Sequence, residues 1–437
     1  MPRRITGRHA RSTVGGEEVA AFVPYPLPPA DPPIVVEGAL ATRLRAAEQA
    51  LVRLELAGEM VPSLDWFIYA FVRKEAVVSS QIEGTQATLV DLLTFEAQDT
   101  VTSRVTADAD VEEVCNYLDA LAHARAQLAD PKGLPLSMRL LNETHARLMR
   151  GIRGSDKLPG EVRRSQNWIG GSRPGNATYV PPPPQVLGEV LGSLEKYMHA
   201  ADDMPPLLRA GVLHVQFETI HPYLDGNGRI GRLLVTLLLE HWKQLTKPLL
   251  YLSLFFKRHR EAYYARLSAV RTDGDWEGWL DFFVDGVRTI ADEAVASARE
   301  LFARVAADRS RVLAHDGMSV PALRLFEILP RHPIVTVAST MRLLETTKPT
   351  AGRAIELLVA ADVLVETTGR KRDRTFVYLA YLDRLRVGTE LVGSTEPRPE
   401  ATLRGDSAGL MGDGAALSRE TSRRAPSRVF RTAAQRG

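Results

Sequence analysis

From His221 to Trp242 the chain reads HPYLDGNGRIGRLLVTLLLEHW. Its first half crowds together a histidine, an aspartate, an asparagine, three glycines and two arginines. Its second half is almost purely apolar and helical in spacing. The pairing constrains the fold, because a helix that demands burial begins in a loop of ionisable residues and glycines. The chain must build a helical core with a polar site at the head of that helix.

The remaining periodicities agree. Apolar residues recur at three- and four-residue spacing from Leu40 to Met60, and again between Ser63, read as an N-cap, and the stop signal Gly84. Further helices are predicted over 88–95, 108–128, 137–149, 185–200, 206–219, 228–245, 257–270 and 276–284, then in a charged amphipathic stretch to His315. Residues 160–184, GEVRRSQNWIGGSRPGNATYVPPPP, set β-formers on both sides of a Gly/Pro/Asn turn and predict a hairpin. Residues 1–20 are expected to be disordered, and Phe22–Pro33 to run as extended polyproline-type chain. Beyond Gly317, three short helical segments precede two strand-like segments joined by the basic turn GRKRDR, the order of a winged helix-turn-helix. From Gly388 the sequence is rich in Gly, Ser and Arg without periodicity, and a disordered tail is expected. The predicted class is mainly α.

Composition narrows the function. At 437 residues the chain can hold two or three domains, and its near-neutral net charge of +2 demands neither nucleic acid nor an anionic membrane. The single cysteine, Cys115, excludes an internal disulfide framework or a thiolate zinc cluster and is read as a small core residue. The longest apolar run is far short of the ~20 residues of a membrane span, and the basic start lacks an apolar signal-peptide core, so a cytoplasmic location is expected.

GNGRIG also matches G-x-G-x-x-G, the dinucleotide fingerprint, and Lys257 and Arg258 lie where an NADP 2′-phosphate contact would be sought. That reading fails on three counts. Pro222 and the polar YLDGN separate any preceding strand from the glycines. Arg229 and Arg232 put long cations where backbone and pyrophosphate must pack closely. No acidic residue closes a second strand about twenty residues on. A different assembly uses every polar residue. Gly226 and Gly228 let consecutive N–H groups converge on one concavity at a helix N-terminus, where an anion is favoured. Arg229 and Arg232, three apart, share a helical face and can grip further phosphate oxygens. Asp225 offers a hard oxygen for Mg²⁺, and His221 is the one group here that takes a proton near neutral pH. The set describes a nucleoside triphosphate and its metal beside a general base, hence nucleotidyl or phosphoryl transfer to a hydroxyl. No Walker pattern is present, so this is not a P-loop.

HPYLDGNGRIGR resembles the Fic (filamentation induced by cAMP) motif H-P-F-x-[DE]-G-N-G-R-x-x-R, with Tyr223 in place of phenylalanine. The resemblance extends over about residues 20–385 and implies five parts. These are the leader (1–20), an N-terminal region with an inhibitory helix (21–105), the catalytic core with supporting helices (106–315), a winged-helix-like module (316–387) and the tail (388–437). It implies a Fic-type helical core with a β-hairpin flap, and AMP transfer from ATP to a Ser, Thr or Tyr hydroxyl of a protein. By position His221 is the implied base and Asp225 the Mg²⁺ ligand. Gly226, Asn227, Gly228, Arg229, Ile230, Gly231 and Arg232 are the implied ATP-binding run, with Arg229 on the β-phosphate and leaving pyrophosphate and Arg232 on the γ-phosphate.

Upstream, SSQIEGT (Ser79–Thr85) resembles the family's inhibitory pattern [ST]-x-x-x-E-[GN]. It implies that Glu83, with Ser79 supporting, forms a bidentate pair with Arg232 and competes with ATP. Trp168, Ile169 and Gly170 are the implied target-docking edge of the flap. Tyr263, ahead of Tyr264, is the implied adenine-pocket residue, with core packing the competing reading; Asn116 is read as packing or positioning. The implied partners are a protein substrate, the chain itself included, with no membrane. The helix KPTAGRAIELLVAA and the residues Arg370, Lys371, Arg372 and Arg374 fit DNA or a protein or dimer contact equally. A DNA-binding regulator with an ATP-sensing core, and an enzyme that removes AMP or transfers another phosphate-containing group, stand as the alternative functions.

Overall fold

A computed structural model describes residues 4–60, 64–98, 108–151 and 156–391 of the chain. The predicted Ser63 cap lies outside these. Fifteen helices are found among the described residues: α1 (Gly38–Met60), α2 (Leu64–Ile82), α3 (Leu89–Ala97), α4 (Ala109–Ala129), α5 (Met138–Leu148), α6 (Pro184–His199), α7 (Pro206–Ile220), α8 (Asn227–His241), α9 (Ser253–Arg258), α10 (Arg260–Asp273), α11 (Trp276–Ala314), α12 (Val320–Ile328), α13 (Val337–Leu344), α14 (Lys348–Ala360) and α15 (Leu379–Leu385). The short polar residues before the apolar runs start them as expected. Thr88 forms a capping box with Asp91 over α3, and Ser137, Asp275 and Ser319 each accept a first-turn N–H.

Helices α7 and α8 are buried on nearly every side, and they lie against each other at the centre of the core. Buried His214 on α7 joins them. Its Nδ1–H donates to the Gly231 carbonyl at 2.9 Å, and its Nε2 lies 2.9 Å from the Tyr263 hydroxyl. Helix α2 is buried continuously from Lys74 to Ser80. It carries a carboxylate, Glu75, that accepts bonds from the Ser253 N–H and hydroxyl, and an ammonium, Lys74, that lies 4.7 Å over the Tyr251 ring. The last turn of α2 thereby reaches the head of α8.

The structure corrects the sequence at four places. Residues expected as a disordered leader form an antiparallel hairpin, β1 (Gly7–Val14) with β2 (Glu17–Pro24), turning at Gly15 and Gly16. Its stability comes from partners distant in sequence, since Val14, Val19 and Ala21 pack against Trp168 and Val180, and the Phe22 N–H donates to the Val180 carbonyl at 2.9 Å. The hairpin expected over 160–184 shrinks to one bridged pair, Ile169 with Tyr179, joined through a 3₁₀ turn at Pro174–Asn176. Prolines without N–H groups and the positive φ of Gly170 and Gly171 prevent a longer ladder. The two helices expected between 276 and 315 are one, α11, and α1 runs along it with Arg43 and Arg53 each 2.7 Å from Asp281 and Asp292. Residues 388–391, expected in the tail, are described and packed, with Thr389 only 1% exposed; 392–437 lie outside the described residues.

Beyond α11, helices α12, α13 and α14 are followed by β4 (Val365–Glu366) and β5 (Thr375–Val377) around the basic turn, as expected. A strand not foreseen, β3 (Ile334–Thr336), completes an antiparallel sheet in the order β3-β5-β4. This module is tied to α11 through buried Asp308, which accepts from Tyr378 Oη at 2.7 Å and from Arg311. Replacing Asp308 with alanine strands that buried hydroxyl. The expected cost is about 1–3 kcal/mol, read as a lower urea midpoint for the module with the helical core melting unchanged.

Candidate active site

Helix α7 ends at Ile220, and His221 follows as its C-cap at φ 50° and ψ 62°. The loop reverses and α8 starts after Gly226, itself at φ 76°. Both turns need left-handed backbone, and at Gly226 a Cβ would lie 2.9 Å from Met149 Sδ. Asn227 closes the loop, its Oδ1 accepting the Tyr223 N–H and its Nδ2 donating to the Tyr223 carbonyl, both at 2.8 Å. Its amide is thereby engaged within the loop, so only its backbone N–H faces a ligand. Tyr223 is fully buried, and its hydroxyl, the departure from the family pattern, donates to Asn142 Oδ1 at 2.8 Å.

Two residues missed in the sequence hold this loop. His145 stacks flat on Tyr223 with centroids 3.8 Å apart. Its Nδ1 accepts the Gly160 N–H at 2.9 Å, so Nε2 carries the proton and donates to the Asp225 carbonyl at 3.0 Å. Arg163, 2% exposed, donates from Nε to the His221 carbonyl at 3.0 Å and from Nη2 to the Pro182 carbonyl at 2.5 Å. It ties His221 to the segment at Pro182. No short-range pattern marks either residue, because their partners in the 221–226 loop are about 60 to 80 positions away.

His221 is held as a neutral imidazole. Burial and then the Arg163 charge push its pKa down to about 4, and its Nδ1 is buried with no hydrogen-bond partner. The first-turn N–H groups of α8, at 227–229, have no preceding turn of carbonyls to bond. Arg229 is 4% exposed, with an unpartnered buried Nε, an Nη2 that donates to Met149 Sδ at 3.6 Å, and longer ion contacts, 3.7 Å to Asp225 and 3.9 Å to Glu113. These free donors, the helix dipole and the neutral imidazole form a cradle suited to an oxyanion beside a proton acceptor. Asp225 Oδ1 accepts the Gly226 N–H at 2.5 Å, which leaves its second oxygen for a cation. No cluster of three or more metal-ligating side chains occurs among the described residues. A Mg²⁺ here would need substrate phosphates to complete its shell, as Mg²⁺ sites commonly do.

Arg232 lies on the far side of the cradle, its side chain 2% exposed. Nε donates to Ser79 Oγ at 2.9 Å, and Nη2 donates to the Ser79 carbonyl at 2.9 Å and to Glu83 Oε1 at 2.7 Å. The contact with Glu83 is therefore single rather than the expected bidentate pair, with Ser79 holding Nε and sharing Nη2. The Glu83 carboxylate lies directly over the start of α8, where a Cβ on Gly228 would be 2.2 Å from Oε1. Burial opposes its charge, but Arg232, then Arg229, hold its pKa below the ordinary carboxylate value. Burial likewise disfavours the Arg232 charge, and Glu83 more than offsets it.

The other expected residues divide. Ile230 is fully buried in the core, and Gly231 makes room for Glu218, whose Oε1 would lie 2.2 Å from a Cβ there. Glu218 is a third missed residue, an unpartnered carboxylate pushed up to about 7 by burial, although Arg232 acts against the rise. Tyr263 is 1% exposed, bonded to His214 and stacked on Phe256 at 4.5 Å, so it packs the core beneath the site. Tyr264 is 44% exposed, with the Arg260 guanidinium 5.8 Å over its ring. Asn116 Nδ2 donates to the Arg150 carbonyl at 2.5 Å. Trp168 points into the cluster with the N-terminal hairpin. Ile169 exchanges both backbone bonds with Tyr179, at 2.8 and 3.0 Å, so by alternation the main-chain groups of Trp168 face the opposite edge, whereas Gly170, at φ 70°, turns out of the extended chain.

The helical core thus presents a buried histidine nitrogen and an anion cradle at the start of one buried helix. Residues 41–126 match the family described as Fic/DOC family N-terminal, and residues 135–239 the Fic/DOC family. Over these two spans the chain is similar to the Fic/DOC family. A protein adenylyltransferase Fic from Culex quinquefasciatus is 29% identical over 192 residues, 43% of this chain and 35% of that protein. One from Aedes aegypti is 28% identical over 220 residues, 49% of this chain and 40% of that protein. The chain thus spans well under half the length of these relatives. A Fic family protein from Desulfovibrio desulfuricans G20 shares the fold at a TM-score of 0.52, over 79% of this chain and 97% of its own, with 19% identity.

His145 and His214, like His221, are lowered to about 4, with burial the leading cause in each. The unfolded chain therefore binds protons, between the ordinary value of 6.5 and about 4, that the folded chain does not. Folding stability should fall as pH drops from 6.5 towards 4. Urea unfolding at pH 7 and 5, with NMR titration of the three rings, checks this; protonation of folded His221 near pH 6.5 would refute it.

Proposed function

We propose that this protein transfers AMP from ATP to a Ser, Thr or Tyr hydroxyl of a protein, and that Glu83 restrains the transfer. The observation that carries the reading is the Glu83 carboxylate lying over Gly228 and against Arg232, an acid occupying the cradle built for an anion. With Glu83 displaced, Arg232 gains a phosphate as its counter-charge, and Arg229 turns its unpartnered Nε to a second. The target's main chain pairs with the free edge at Trp168. The hydroxyl proton moves to the neutral His221 imidazole, the hydroxyl oxygen bonds to the α-phosphorus, and the bond from that phosphorus to the pyrophosphate oxygen breaks. Arg163, fixing the His221 carbonyl, holds the base in line with the flap. Mg²⁺ fits at Asp225, where it would neutralise phosphate charge as pyrophosphate departs. Tyr264 is the better candidate than Tyr263 to meet an adenine.

The C-terminal module has the element order of a winged helix, and Arg370, Lys371, Arg372 and Arg374 are all exposed on its turn. This is the observation that keeps a DNA-sensing role as a second reading. Among the described residues, no helix is long and apolar enough to cross a membrane.

The test uses ATP labelled at the α or the γ phosphate, with Glu83→Gly protein in lysate. Label from the α position alone is expected, at a rate at least tenfold above wild type, and His221→Ala added to that variant abolishes it. Label from γ alone would make the protein a kinase and overturn the reading.

A further inference from the structure

The inhibitory turn is held from two sides. Ser79 and Glu83 face Arg232, whereas Gln81, between them, faces the end of the C-terminal module. Gln81 Nε2 donates to the Thr389 carbonyl at 2.8 Å and to the Ala87 carbonyl at 2.9 Å. Gln81 Oε1 accepts from Lys257 Nζ at 2.6 Å, and that ammonium also donates to the Glu390 carbonyl at 2.6 Å and the Gly388 carbonyl at 3.3 Å. Residues 388–390 are shaped for this contact. Gly388 is at φ 87°, where a Cβ would lie 2.8 Å from Leu254 Cδ1, its N–H donates to Glu390 Oε2 at 2.7 Å, and the Thr389 side chain donates to the Arg386 carbonyl at 2.7 Å. The same module meets the earlier part of α2 through His332, whose ring lies 5.7 Å from that of Tyr69.

We propose that residues 388–390 are a latch that keeps the last turn of α2 seated, so that the position of the C-terminal module sets how readily Glu83 leaves Arg232. The proposal rests on the restraint of AMP transfer by Glu83. The physical argument is one of linkage. Withdrawal of the turn at residues 80–84, which takes Glu83 out of the cradle, carries Gln81 with it. Each hydrogen bond that Gln81 and Lys257 make to 388–390 therefore stabilises the seated state alone, and any ligand of the module that draws 388–390 away shifts the population towards the open cradle.

Two full-length variants approach the latch from opposite sides. Gly388→Val places a branched side chain at positive φ against Leu254, and Gln81→Leu removes the amide from the helix side. Each should raise AMP transfer and tighten binding of a non-hydrolysable ATP analogue by about 5–30-fold. The double variant should match the singles, because both break one contact, and none should exceed Glu83→Gly. Thermal melting verifies that the core stays folded. If Glu83→Gly is activated while both latch variants stay at the wild-type rate, or if the two effects multiply, the latch is wrong and the functional reading stands. If Glu83→Gly itself transfers nothing, the functional reading fails, and hydrogen exchange at the amides of 83–85 decides the latch alone. Faster exchange in both variants supports it, and unchanged protection overturns it.

Discussion

Arg232 is a cation inside a helical core, and the arrangement around it follows from the need to compensate that charge. A buried guanidinium without acceptors is costly, since an isolated charge in a low-dielectric interior has neither water nor a counter-ion. The chain meets the requirement with a helix rather than a neighbouring side chain. Helix α2 is threaded through the core so that Ser79 and Glu83 arrive at the guanidinium together. Under the proposed function a phosphate meets the same need once Glu83 has left. Gly228 matters for the same reason, because any side chain there would displace whichever anion is bound.

The loop between α7 and α8 shows a second economy of construction. Its polar side chains bond mainly to one another's backbone. Asn227 closes on Tyr223, His145 and Arg163 fix the Asp225 and His221 carbonyls, and the buried hydroxyl of Tyr223 has Asn142. A rigid frame leaves few donors free, chiefly the first-turn N–H groups and Arg229 Nε, and these point to the same concavity. Preorganised donors of this kind cost nothing to reorient when charge develops. Burial keeps the imidazole neutral, so the proton acceptor and the anion site coexist without one titrating the other.

Much of this was legible in the sequence where the signal is local. Helix positions followed from three- and four-residue spacing, and the loop from glycine, asparagine and proline chemistry. The misreadings share one physical cause. Residues 7–24 looked disordered because a hairpin with few apolar residues is stable only against Trp168 and Val180. Residues 388–391 looked like tail because their order comes from Lys257 and Gln81. Tyr263 looked like a pocket residue because sequence spacing cannot separate a ring that faces a ligand from one that faces Phe256 and His214.

The sequence by itself determined that a helical core would carry a histidine, an aspartate and two arginines at the head of one helix, because those choices depend on neighbours within a turn or two. Only the tertiary structure decided how they are shared. Whether Arg232 meets Glu83 once or twice, which tyrosine is exposed and what holds the turn at residues 80–84 depend on side chains brought together from positions up to about 300 residues apart. Contacts at that separation leave no periodicity in the chain; they exist only once the core has closed around them.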